Sequence, residues 1–573
     1  MYQTLHDILA LRLHKKYIVA PDDFNRWLVP PASIAIHLCI GSVYAWSLFN
    51  PPLVRELGVI VPAAGDWHLS QVVWIFSVAI VCLGCAAAFA GKWLEEVGPR
   101  MVGVVAACLW GGGFIVGGFG ILYHQLWLLY LGYGVLGGCG LGLGYVSPVS
   151  TLIRWFPDKR GMATGMAIMG FGGGAMVGAP SIEALLAFFQ DMPVYLGAVE
   201  DVAMRTVEGI RYVTQDGALL EVVVLGTKEA ALIHPTMPAG VYQVGTGSTG
   251  AAATFFTLGT VYFFVMVIAA FSYRVPQTGW TPKGWTPPDE AHRAKRMMTT
   301  EHVHIDQALK TPQFYLLWIV LCFNVSAGIG VLGVAKTMMN EIFGTTLPHI
   351  VDVAFTAQYV LMISVFNMVG RVFWASMSDY IGRKATYMIF FTLGMLLYVS
   401  IPYTAIQVSV SPHVQWLVMF YAITMIIFTM YGGGFATIPA YLADIFGTRY
   451  VGGIHGRLLT AWSVAGVLGP VAITQLREHT RIQAIESLAQ HITDHDPTLF
   501  QSHFGQTIEQ LETLIQTKTV TIRSMMEIAP AHVIDPSPTL YNSTMYAMAG
   551  LLALALLANI LVRPVAEKHH MAS

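Results

Sequence analysis

Gly91-Lys-Trp-Leu-Glu95-Glu-Val-Gly98-Pro-Arg100 and Ala375-Ser-Met-Ser-Asp379-Tyr-Ile-Gly382-Arg383-Lys384 carry one pattern, Gly/Ala-x-x-x-acid-x-x-Gly-x-basic. Each stretch follows a long apolar run, at matching places in the two halves of the chain. The pattern has a physical reading. A small first residue lets two helix ends approach, the acid can cap the positive end of a neighbouring helix, and the cation can pair across the same face. A single match is weak evidence. Two in register indicate a duplicated unit with a paired turn in each copy.

The runs around these turns are of one kind. The chain has 573 residues, 55% hydrophobic and only 11% charged, with a mean hydropathy of +0.59. Soluble domains carry about 25% charged residues, so a soluble enzyme is not expected, and disordered, collagenous and disulfide-scaffold classes fall with it. The 31 basic and 33 acidic residues give no case for a nucleic-acid partner. A membrane helix needs about 20 mostly apolar residues. Twelve runs meet that length: about 28–49, 70–91, 101–121, 126–150, 162–182, 251–273, 313–335, 353–376, 386–405, 415–438, 458–475 and 544–562.

With the N-terminus inside, the cytoplasmic segments hold 21 of the 31 Lys and Arg and the outside segments eight. This asymmetry places both termini in the cytoplasm. Nothing before the first span has the form of a cleaved signal peptide. The opening stretch, with Arg12, Lys15, Lys16 and Arg26, reads as an amphipathic helix on the inner surface or as a solvated tail. The expected organisation is a cytoplasmic segment 1–27, a six-helix half 28–273, a cytoplasmic linker 274–311, a second six-helix half 312–563 and a tail 564–573. Two outside insertions, 183–250 and 476–543, follow the glycine–proline ends of the fifth and eleventh spans, Gly178-Ala-Pro180 and Gly466-Val-Leu-Gly469-Pro470. The first contains a hairpin signal through Asp216-Gly217, the second reads as two or three polar helices, and together they are expected to form a small external cap. All six cysteines fall in spans, so no disulfide is expected outside. Cys82 and Cys85 read as packing residues.

Two six-helix halves with paired inner turns describe a secondary transporter, an all-α membrane protein. The twin turns resemble the signature of the major facilitator superfamily, which implies that fold. Within it, Asn25-Arg26-Trp27 with Gly41-Ser-Val-Tyr44-Ala-Trp46-Ser-Leu-Phe49 is similar to the oxalate/formate antiporter family. So are Gly144-Tyr145-Val-Ser-Pro148, the run from Trp155-Phe156-Pro157 through Arg160-Gly161 to Gly165, and Gly170-Phe171-Gly172-Gly173-Gly174. The resemblance covers the twelve spans, leaves out both insertions, and is looser in the second half.

Inside the twelve spans only Arg371 is ionised. A cation there costs about 2.5–3.5 kcal/mol or more by insertion scales and faces a cavity or a partner. A guanidinium fork suits a carboxylate, so Arg371 reads as the binding site of an anion; the alternative is that it snorkels inward to the Asp379 turn. The resemblance implies the first reading, because Asn367-Met-Val-Gly-Arg371 matches the place where this family and the related proton-linked monocarboxylate transporters carry a substrate-binding arginine. Two departures stand out. Asn367 occupies the place of an aspartate implicated in proton coupling in the monocarboxylate transporters. Thr460-Ala461-Trp462-Ser463 stands where oxalate-carrying members have a lysine. One central cation neutralises a monocarboxylate but not both ends of oxalate, so formate, lactate or pyruvate is favoured.

Tyr44, Tyr145, Tyr431, Phe435 and Trp462 fall where the resemblance implies cavity residues, with helix packing as the alternative for each. His37, near the middle of the first span, is either a proton relay or a neutral histidine bonded to a neighbouring helix. The turn residues Gly91, Glu95, Gly98, Arg100, Asp379, Gly382 and Arg383 are expected to latch the cytoplasmic side. The expected protein is a bacterial inner-membrane carrier, monomeric, with lipid and a small organic anion as partners. It needs no cofactor, no metal and no catalytic residue. A carboxylate sensor signalling through the insertions and an exporter of amphiphiles or drugs are the rival readings.

Overall fold

The computed structural model describes residues 13–63, 65–207, 210–215, 218–226, 230, 237–516, 520–530 and 532–571. Twelve helices in it are long and apolar enough to cross a membrane: α1 Arg26–Leu53, α2 Leu69–Val97, α3 Pro99–Leu122, α4 Leu126–Trp155, α5 Arg160–Phe189, α6 Ala251–Ser272, α7 Pro312–Phe343, α8 Ala354–Ile381, α9 Arg383–Val410, α10 Val414–Phe446, α11 Val451–His495 and α12 Ser537–Leu561. Each lies over one of the twelve apolar runs. Most extend beyond them, because hydropathy marks the edge of the hydrocarbon and not the end of the helix.

Two compact units emerge. The first comprises Met1–Pro157, Met166–Trp285 and Gly452–Thr460; the second comprises Asp158–Gly165, Thr286–Val451 and Ala461–Ser573. The opening turns of α5 thus belong with the second unit and those of α11 with the first. Inside the first unit α3 packs on α6 and α2 on α4; inside the second α9 packs on α12 and α8 on α10. The same pairing recurs when six is added to each helix number, as a duplicated bundle requires. Gly98 and Gly382, between α2 and α3 and between α8 and α9, have φ of +94° and +90°. A side chain would be strained there, which explains a glycine at the same place in both turns.

The described residues before α1, 13–25, are anchored on the first unit. Ile18 and Ala20 are buried, Val19 bridges to Val275, and Arg26 donates to the Trp155 carbonyl at 3.2 Å with its guanidinium 4.4 Å from the Phe156 ring centre. Arg12 lies outside the described residues.

The stretch between α5 and α6 folds as a five-stranded antiparallel sheet: β1 Tyr195–Gly197, β2 Met204–Val207, β3 Ile210–Gln215, β4 Ala218–Leu225 and β5 Gly240–Gln243, in the order β1-β5-β4-β3-β2. The hairpin read from the sequence is β3–β4, with Gln215 opposite Ala218; Asp216 and Gly217 themselves lie outside the described residues. One face buries Val213, Val222 and Val241. The other packs Leu225, Met237 and Tyr242 against Ile60 from the segment after α1. In that segment Glu56 accepts a hydrogen bond from the Thr249 hydroxyl. Burial pushes its carboxyl up to about 7, with Asp66 adding to the rise and the Thr249 bond opposing it.

Between α11 and α12 the expected polar helices take a different form. α11 itself runs on to His495, followed by the short helices Leu499–Phe504, Leu511–Gln516 and Ile522–Met526. Ile485, Leu488 and Ile492, at helical spacing, are buried.

Candidate functional site

In the second unit α8 and α10 approach closely around one charged side chain. A Cβ at Gly432 of α10 would stand 2.2 Å from the Asn367 carbonyl oxygen and 2.6 Å from its Oδ1, so only glycine permits this contact. Trp374, two turns further along α8, donates through Nε1 to Thr429 Oγ1 at 3.0 Å and ties the two helices a second time. Held between these contacts, Arg371 is fully buried. Its Nε donates to Asn367 Oδ1 at 3.1 Å, and its guanidinium carbon lies 5.5 Å from the Phe435 ring centre. Phe435 meets Tyr431 edge-on at 5.5 Å and Trp462 of α11 at 4.9 Å. Arg371, Asn367, Tyr431, Phe435 and Trp462 therefore form one cluster. A cation held by a neutral amide and aromatic rings in a site of low dielectric attracts an anion strongly.

In the first unit a second aromatic group surrounds Phe171 of α5. Tyr44 lies edge-on to it at 5.2 Å, Tyr145 at 5.4 Å and His37 at 6.4 Å. His37 is fully buried; its Nδ1 lies 3.0 Å from the Ser33 carbonyl oxygen, and its ring is edge-on to Tyr145 at 5.3 Å. His455, in the opening turns of α11, meets the other side of this group, 5.8 Å from Tyr145.

The twin turns are built differently. In the second unit Asp379 accepts from the backbone N–H groups of Gly161 at 2.8 Å and Met162 at 2.9 Å, the first turn of α5. Arg383 joins Asp379 at 2.6 Å to Asp444 at 3.0 Å, and Arg160 reaches the other oxygen of Asp444 at 2.8 Å. Arg296 donates to the Asp379 carbonyl at 2.5 Å. In the first unit Glu95 pairs with Arg154, and its Oε1 lies where a Cβ on Gly452 would come within 2.7 Å. Arg100 donates to the carbonyls of Phe271 at 2.8 Å and Tyr273 at 3.0 Å, at the negative end of α6, where a cation is favourable. Gly91 packs on Gly453.

Asp444, Arg160, Arg154 and His455 are the residues that reading the sequence misses. A signal existed for two of them. Arg160 directly precedes the glycine whose amide Asp379 binds, and a buried Arg383 needs more than one carboxylate. For His455 no signal existed, since the eleventh apolar run begins at 458 and leaves it in a loop. Among the described residues no group of three or more His, Cys, Asp or Glu is placed to hold a metal.

A family model of the Major Facilitator Superfamily matches residues 32–199 and 237–470. The chain belongs to that superfamily. It is 25% identical over 450 residues to the oxalate:formate antiporter of Oxalobacter formigenes, covering 78% of this chain and 83% of that protein. Over 172 residues it is 30% identical to monocarboxylate transporter 11 of Homo sapiens, covering 30% of this chain and 34% of that one. The crystal structure of the superfamily transporter FucP in its outward conformation aligns with a TM-score of 0.51 at 10% identity, over 94% of this chain and 99% of that one; this likeness concerns the fold. The protein is an integral membrane transporter of the superfamily, and the two relatives named above are transporters rather than enzymes.

Proposed function

We propose that the protein carries a small carboxylate anion across the bacterial inner membrane by alternating access, with formate, lactate or pyruvate favoured over oxalate. The observation that carries this reading is Arg371, a buried cation on a membrane helix, oriented by the uncharged Asn367 and faced by Phe435. The guanidinium binds the carboxylate, and the aromatic side chains exclude water and strengthen that contact. A carboxylate bound to the guanidinium offsets its charge as the loaded site closes. One arginine balances one carboxylate, which favours a monocarboxylate. The two relatives, one an antiporter of oxalate and formate and the other a monocarboxylate transporter by name, support the substrate class.

In this reading Tyr44 and Tyr145 line the path in the first half, 28–273, and Tyr431, Phe435 and Trp462 line it in the second, 312–563. Glu95, Arg100, Asp379 and Arg383 latch the cytoplasmic ends, both termini lie in the cytoplasm, and the insertions 183–250 and 476–543 lie outside. The carrier works as a monomer, as an exchanger or with protons.

The test is uptake of labelled formate, lactate, pyruvate and oxalate into proteoliposomes, with and without the unlabelled acid inside. Trans-stimulated uptake of a monocarboxylate is the expected result. No uptake by folded, inserted protein overturns the reading in favour of a sensor or an exporter of other compounds.

A further inference from the structure

We propose that His455 and His37 form a proton-binding site in the first unit, so that the proton travels as a co-substrate of the carboxylate; this rests on the transport reading above. The two imidazoles come from separate elements, α1 and the opening turns of α11, and both pack on the ring of Tyr145, at 5.3 Å and 5.8 Å. Both are buried, His37 at 0% and His455 at 1% exposure.

The hydrogen bonding specifies the basic atoms. A carbonyl oxygen only accepts, so the contact of His37 Nδ1 with the Ser33 carbonyl places the hydrogen of the neutral ring on Nδ1 and its lone pair on Nε2. Nε2 of His455 is buried and has no hydrogen-bond partner among the described residues. Such an atom in a native structure calls for an explanation, and a proton acceptor that is loaded for only part of a cycle supplies one.

The other groups around His455 do not compete for this role. α4 presents Tyr145 and, a turn further on, Ser150 beside Gly452. α2 presents the Ala87 carbonyl to Gly456 and the Glu95 carboxylate to Gly452. That carboxylate is already engaged by Arg154. Phe171 of α5 is uncharged, and Arg457 lies two residues on along the same helix. Imidazole is the group here that ordinarily changes charge between about pH 5 and 8.

Two imidazoles in one buried cluster share a single proton more readily than they hold two, because like charges repel. A lone imidazolium away from water is costly, and an anion taken up in the same cycle offsets it. Binding therefore adds H+ to an imidazole nitrogen and the carboxylate to Arg371, a net charge of zero, and both leave on the other side. His455 also sits where the event can act. The segment Gly452–Thr460 belongs to the first unit, and the same helix continues from Ala461 in the second.

The test uses the full chain in proteoliposomes and whichever of formate, lactate, pyruvate and oxalate shows counterflow. With the membrane potential clamped at zero and the outside one pH unit more acidic, the protein is expected to concentrate that acid about tenfold for one coupled proton, relative to protein-free vesicles. His455→Gln and His37→Gln are each expected to lose this accumulation. Purified wild-type protein in weakly buffered detergent solution should take up about one proton per chain when the sodium salt is added, read with an indicator dye. That measurement decides the matter if the variants do not fold. Counterflow without accumulation or proton uptake overturns the proton site alone. Full accumulation by His455→Gln does the same. Absence of counterflow with every acid removes the transport reading itself.

Discussion

Arg371 donates through Nε to Asn367 Oδ1 at 3.1 Å, one helical turn back on the same helix. The amide orients the guanidinium and cancels none of its charge. An aspartate in that place would form an internal ion pair, and an incoming anion would have to compete with it. The pair is thus a cation positioned by an uncharged neighbour.

Removing that charge should abolish transport while leaving the fold. Arg371→Gln is expected to melt close to the wild type and to lose counterflow by about 30-fold or more, the lower end of the 2–5 kcal/mol found when one partner of a buried charge pair is removed. Normal counterflow by this variant would place the anion elsewhere.

Asn367→Asp tests the same site from the other side. The new carboxylate engages Arg371 and competes with substrate, so KM should rise about tenfold or more, equivalent to about 1.4 kcal/mol. Melting should not fall, since an ion pair replaces a hydrogen bond from the same guanidinium to an uncharged amide. An unchanged KM would show that Arg371 does not meet the carboxylate.

Gly432→Ala puts a methyl group 2.2 Å from the Asn367 carbonyl oxygen. α10 and α8 must then separate, at a cost of about 1–3 kcal/mol by the usual penalty for overpacking. A lower melting temperature together with a higher KM is expected, because Asn367 moves with its helix. A lower melting temperature alone would detach the glycine contact from the site.

Arg383 is shared by Asp379 and Asp444, and it is almost wholly buried. Arg383→Gln leaves two carboxylates short of a counter-charge and should cost about 3–5 kcal/mol. Arg100→Gln removes a cation that donates to the Phe271 and Tyr273 carbonyls and should cost less. Thermal melting of the two variants side by side checks the order, and equal losses would show that the twin turns bear load alike.

Glu56 should make the segment after α1 sensitive to pH. Its folded-state value of about 7 lies above the ordinary carboxylate value, so its contribution to stability is fully present below that ordinary value. It is lost as the pH rises through 7. Glu56→Gln should therefore match the wild type near pH 4 and melt at a higher temperature at pH 8. Equal pH profiles for the two proteins would remove Glu56 as the cause.

Much of this was legible in the sequence, for reasons that differ by element. The twelve spans were legible because the bilayer imposes a length on apolar runs, and the turns because Gly98 and Gly382 meet the same backbone demand. The reach of α11 to His495 was hidden: after 475 its residues become polar, and hydropathy falls silent while the helix continues. The β3–β4 hairpin had a local signal. β5 had none, since it pairs with β1 across more than 40 residues and with β4 beyond a long connection. Arg371 stood out as a lone charge among apolar residues. The Arg160–Asp444 pair joins residues 284 apart, a pairing that only the folded chain reveals, and His455 became visible as a core residue only once α11 was seen to start at Val451.

Asp379 binds main-chain amides of residues 161 and 162, and this has a consequence for how the contact can be inherited. Any residue other than proline presents an N–H group, so at position 162 the partner is supplied by nearly every possible codon, whereas the acid must be encoded. Sequence drift at position 162 leaves that hydrogen-bond donor in place, whereas at Gly161 a Cβ would stand 2.0 Å from the Ala375 carbonyl oxygen and only glycine fits. A single change at Asp379 removes the acceptor of both bonds together.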